Sequence, residues 1–145
     1  MIPVHQEFIH DPENGFIGDC QRAVIASLME LPLKEVPHFL KEAWGGGNSK
    51  LTGQWMHENE LYWHLMQIFL RSYGYAWLVT DSLSSAIFGR QGNVYHEISG
   101  PSPRDPNMQH AVVGRNGLPF FDPHPSGKFL TGDPDKWQFG YLIRV

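Results

Sequence analysis

The chain carries one cysteine, Cys20, and it opens a run in which Val24, Ile25, Leu28, Met29 and Leu31 recur at helical spacing until Pro32 stops them. A thiol at a helix N-terminus sits among unpaired backbone amides and the positive end of the macrodipole, which favour an anion and lower its pKa. A lone thiol is also a common small core residue, so position alone does not assign it chemistry. His110 opens an apolar strand, and Asp122 ends the next strand across Asn116-Gly117, the strongest short-range hairpin signal. If that hairpin packs beside the start of the Cys20 helix, His110 can take the thiol proton while Asp122 fixes the imidazole tautomer and stabilises the imidazolium. Those are the parts of a Cys-His-Asp triad.

The elements that must position these residues fall into two blocks. Residues 1–17 read as an extended arm ending in the turn formers His10-Asp11-Pro12-Glu13-Asn14-Gly15. Asp19 is placed to cap the buried helix that follows. A second helix is expected over 33–44, with Val36, Phe39, Leu40 and Trp44 on one face. Gly45-Gly46-Gly47-Asn48-Ser49 breaks the chain as a hinge or lid, and a third helix spans about 55–73 with Gly74 as its stop. Short β-branched or aromatic runs at 76–80, 94–98, 110–114, 118–122 and 141–145 then read as strands. Helices followed by antiparallel strands predict an α+β fold, the N-terminal helices packed on a C-terminal sheet.

Gly18-Asp19-Cys20-Gln21-Arg22-Ala23 and the Ala/Val/Leu-rich helix after it resemble the nucleophile helix of papain-like cysteine peptidases, especially the bacteriocin-processing C39 peptidase family. Gln109-His110-Ala111-Val112-Val113-Gly114 with Phe121-Asp122-Pro123-His124-Pro125 resembles that family's histidine strand and Asp-Pro strand end. The chain is also similar to small cysteine-peptidase-like proteins encoded by bacteriophages, in which a segment like Gly100 to Arg104 precedes the histidine strand. The resemblance implies a single papain-like domain over 1–145, with Cys20 as nucleophile, His110 as base and Asp122 as orienter. Gly18, Asp19, Gln21 and Gln109 would then border the substrate cleft. The family places an oxyanion-hole glutamine about six residues before the nucleophile. Here that position holds Asn14, a shorter amide donor, and Gln6 is the only glutamine in the arm. Gln21 also stands where the family commonly has glycine.

With 145 residues, 41% of them hydrophobic, the chain reads as one domain able to bury a core. A net charge of −4 gives no general attraction to phosphate backbones or anionic lipid, which argues against nucleic acid as a partner. The longest apolar stretch is broken by Ser27, Glu30 and Pro32, short of the roughly 18 residues a membrane span needs, so no membrane partner is expected. The opening residues lack the basic segment and apolar core of a secretory signal, making a cytoplasmic site of action the expectation, the host cytoplasm if the chain is phage-encoded. One cysteine excludes an intramolecular disulfide. His57-Glu58-Asn59-Glu60-Leu61 begins like a zinc-protease motif but has Leu61 where the second histidine must stand, and 45–50 lacks the order of a phosphate loop. No metal or other cofactor is expected. Glu60 and His64 are spaced to pair on a helix surface, and 99–106 must loop just before His110.

The leading expectation is a hydrolase that cleaves a peptide or isopeptide bond of a protein or peptide substrate through an acyl-enzyme. An acyltransferase or deamidase would use the same three residues. From another class, the chain can be a catalytically silent binding module, such as a phage-encoded inhibitor of a host protein, or a structural virion component.

Overall fold

The computed structural model describes residues 1–49, 51–81 and 92–145. Helix α1 (Cys20–Met29) buries the whole run from Ala23 to Ser27, and Glu30 closes it in a left-handed conformation two residues before Pro32. Asp19 does not cap it. Its Oδ1 accepts the Phe8 amide at 2.8 Å and its Oδ2 pairs with Arg22, so this buried carboxylate fastens the N-terminal arm to the helix instead. The arm is held further along as well, by Val4 N–H on Ser27 Oγ and Gln6 N–H on the Pro123 carbonyl.

The helix expected over 33–44 is two pieces, a 3₁₀ turn at Leu33–Glu35 and a single turn of helix, α2 (Phe39–Glu42). Pro37 separates them. It has no N–H to donate and forces the preceding residue out of the helical region, and Val36 is accordingly extended at φ −96°, ψ 123°. Nor is the glycine run simply a hinge. Gly45 and Gly46 turn with positive φ, and β1 (Gly47–Asn48) then pairs antiparallel with β2 (Trp55–Met56). That pairing takes Trp55 out of the third helix, so α3 begins later than expected (Glu58–Ser72), with Gly74 just beyond its end. His64 hydrogen-bonds Ser49 Oγ at 2.9 Å rather than pairing with Glu60.

Strands β3 (Tyr75–Thr80), β4 (Tyr95–Pro101), β5 (Gln109–Arg115), β6 (Leu118–Phe121) and β7 (Gln138–Arg144) form one antiparallel sheet in the order β3-β7-β4-β5-β6. β4 runs further than expected: Ser99, Gly100 and Pro101 pair with Ala111, His110 and Gln109, and Pro101 is tolerated as the strand's last residue. At the β5–β6 turn Asn116 and Gly117 both have positive φ, as a two-residue hairpin of the primed type requires. One face of the sheet, through Ala111 and Val113, packs on Val24 of α1. On the other, Ile98, Val112, Phe139 and Tyr141 are covered by Phe129, Leu130 and Trp137. α3 closes the β3 end, with Leu65, Met66 and Leu70 in the cluster that holds Trp77. Three sheet glycines are dictated by close approach, one of them Gly100, where a Cβ would stand 2.5 Å from the Trp137 ring. A Cβ on Gly140 would stand 2.4 Å from the Trp77 ring, and one on Gly114 2.6 Å from the His96 ring.

Candidate functional site

The amino end of α1 meets the first residues of β5, and between them opens a cavity of about 360 Å³. α1 and the residues before it contribute Gly18, Asp19, Cys20 and Gln21, and β5 contributes Gln109, His110 and Ala111. Phe39, Tyr62 and Trp63 add aromatic wall.

The backbone amides of Ala111 and Gln21 lie near the Cys20 sulfur and favour its anion, which sets the helix start beside the residue directly after His110. Burial nevertheless pushes its thiol up to about 11. The two amides pull the other way, while the charges of Glu97 and Asp19 add to the rise. This reverses the lowered pKa expected of a helix N-terminus. The charge–dipole term is worth at most about 2 kcal/mol, and removing a thiolate from water outweighs it.

His110 is buried, and its Nε2 lies 2.8 Å from Asp122 Oδ1. Asp122 also accepts the backbone amides of His124 at 2.9 Å and Phe129 at 2.8 Å. Burial alone would raise its carboxyl, but the His110 bond and the two amides outweigh it and hold Asp122 below the usual aspartate range. An ionised carboxylate only accepts, so Nε2 carries the proton and Nδ1 is left as the basic nitrogen of the ring. The hydrogen bond this ring makes is to Asp122, and His110 is not among the groups that shift the Cys20 thiol. His124, two residues past Asp122, turns its Nδ1 to Ser126 and belongs to the turn.

The expected oxyanion donors are elsewhere. Residues 11–16 close into their own loop through an Asp11–Phe16 bridge and a 3₁₀ turn at Pro12–Asn14, and the exposed Asn14 side chain bonds Asp11 at 2.7 Å. Gln6 bonds the Phe8 carbonyl at 2.6 Å, in the arm that crosses Pro123. Neither lines the cavity. The donors at hand are the backbone amides at the start of α1, which have no partner within the helix.

Two residues that sequence reasoning passed over face the cavity. Glu97, on β4, is only 3% exposed; its Oε1 accepts Gln21 Nε2 at 3.2 Å, and its Oε2 has no partner among the described residues. Burial pushes the Glu97 carboxyl up to about 7, with the Gln21 bond opposing the rise. Tyr62, on α3, has its hydroxyl raised well above the ordinary range by burial and by the charges of Glu97 and Cys20. A signal for Glu97 was present, since a charge in the middle of Tyr95-His96-Glu97-Ile98 is out of place on a buried strand.

The molecule is thus an α+β protein in which the half-buried Cys20 and His110, itself hydrogen-bonded to Asp122, line one cavity against a five-stranded antiparallel sheet. No protein-family model, curated protein or solved structure matches the chain. Among the described residues no helix is long and apolar enough to cross a membrane.

Proposed function

We propose that the protein is a papain-like cysteine hydrolase, similar to the bacteriocin-processing peptidases, acting on an amide bond through Cys20, His110 and Asp122. The observation that carries this reading is the junction of α1 with β5. Cys20 and His110 line the same cavity, with the Ala111 amide near the sulfur and the neighbouring His110 oriented by Asp122 at 2.8 Å.

The resting sulfur is a neutral thiol, so proton transfer belongs to the attack itself rather than to a standing ion pair. As the sulfur–carbon bond forms, His110 Nδ1 takes the thiol proton and the carbonyl oxygen becomes an oxyanion, met by backbone amides at the start of α1. Breakdown breaks the carbon–nitrogen bond and returns the proton from the imidazolium to the leaving amine. Water, deprotonated by the same nitrogen, then cleaves the thioester and regenerates the thiol. An amine in place of water makes the reaction an acyl transfer, and a glutamine side chain as substrate makes it a deamidation.

The test is acylation by an activated peptide ester, followed by intact mass. Wild type is expected to gain one acyl group on Cys20, Cys20→Ala none, and His110→Ala to acylate at least about a hundredfold more slowly, the usual weight of a general base. Failure of wild type to acylate, or equal rates in His110→Ala, overturns the proposal. The high thiol pKa favours one other reading, a binding module on the same scaffold with a silent cysteine. That module would not acylate, and its ligand affinity would be indifferent to Cys20→Ser.

A further inference from the structure

We propose that Glu97 and Gln21 form a subsite for a cationic amine or guanidinium of the substrate, next to Cys20. The proposal rests on the cavity being a substrate site, as above, and names the chemistry it selects. Glu97 Oε2 faces the cavity with no partner among the described residues, though the side chain is almost wholly buried. Leaving a buried acceptor unmet costs about 1–3 kcal/mol, which a ligand donor would recover.

The sign of the ligand follows from the neighbouring charges. Arg22, the cavity's guanidinium, is committed to Asp19, Glu7 and the Val36 carbonyl. His110 is committed to Asp122, and His38 to the Ile17 carbonyl and the Lys41 amide. The Glu97 carboxylate is therefore left without a cation among these residues. Aromatic walls from Phe39, Tyr62 and Trp63 suit the methylenes of a lysine- or arginine-like side chain and attract its charge through their ring faces. A cation held there also bears on the chemistry. The Glu97 charge opposes thiolate formation at Cys20, and neutralising it removes that opposition once substrate is in place.

The probe is Nα-acetyl-lysine methylamide, compared with its neutral Nε-acetyl derivative, titrated calorimetrically into the full-length Cys20→Ser protein so that the outcome is independent of thiol reactivity. The cationic probe is expected to bind at least about tenfold more tightly, as a charge-assisted hydrogen bond warrants, and Glu97→Gln to abolish the difference. In buffers of different ionisation enthalpy near pH 7, its binding is expected to release protons, since the cation ionises Glu97. Cys20 and Tyr62 are the titratable groups that feel this charge, and in the Cys20→Ser protein Tyr62 stays protonated at that pH. Equal binding of the two probes, or undiminished preference in a folded Glu97→Gln protein, overturns the subsite. If Glu97→Gln does not fold, the proton release decides: its absence overturns the proposal. Acylation of wild-type Cys20 without cation preference would leave the hydrolase reading standing and remove only the subsite.

Discussion

Cys20 is a thiol at neutral pH because desolvation at the helix start outweighs the nearby amides, and that sets its reactivity. Iodoacetamide labelling should rise about tenfold per pH unit through the neutral range and level off only near 11. Glu97→Gln should shift the curve to lower pH by removing a charge that opposes the thiolate. A wild-type profile that levels off below pH 9, read by intact mass, would contradict the raised thiol pKa. The nature of this position was legible in the sequence, since an Asp-Cys pair before an apolar helical run marks a helix start. Its raised pKa was not, because Cys20 packs against Ala111 and Val113 and feels the charge of Glu97, all distant in the chain. Asp122 is a second case. Asn there cannot accept both backbone amides and the imidazole proton, so Asp122→Asn should lower stability by about 1–3 kcal/mol in urea unfolding, as expected for a buried donor left unmet. The Asp122 carboxyl is depressed in the folded state, so its contribution is complete above the unfolded value near 3.8. It is lost as pH falls through the folded value, and the Asn variant should lack that acid-side decline.

At the scale of elements, local signals succeeded where one residue type dictates backbone shape. Asn116-Gly117 specified its hairpin, and with it the spacing that brings His110 to Asp122. They failed where a local competitor was overlooked or a pairing partner decided. The periodicity of 33–44 promised a helix that Pro37 divides, and Trp55 left α3 because β1 was there to pair with. The oxyanion expectation failed likewise, because Asn14 found Asp11 within its own loop. Within the sheet, Gly140 lets Trp77 lie across β7 beside the cavity, where a Cβ would come within 2.4 Å of the ring. Gly140→Ala should therefore destabilise by about 1–3 kcal/mol through overpacking, and the shifted indole should change the tryptophan emission spectrum. An unchanged spectrum with unchanged stability would mean that the ring can yield freely.

For the molecule as a whole, the α+β order was legible because helical and strand periodicities occupy separate halves of the chain. The strand order was not, since β7 could be assigned its place between β3 and β4 only through long-range pairing. Charge burial also shows at this scale. A carboxyl raised from 4.5 unfolded to about 7 folded means the native state binds the extra proton between those values, so stability falls as pH rises through that window. The penalty approaches 3 kcal/mol above pH 7, at roughly 1.4 kcal/mol per unit. Glu97→Gln should remove the decline, making the variant more stable than wild type at pH 8 and about equal at pH 4.5, as denaturant midpoints will report. The position of β7 bears finally on how the protein is made. β3 and β4 are joined only through β7, which follows both in the chain, so the sheet stays in two parts until β7 has emerged from the ribosome. Because Gln138 and Gly140 of that strand help line the cavity, the enclosure around Cys20 is incomplete until β7 pairs.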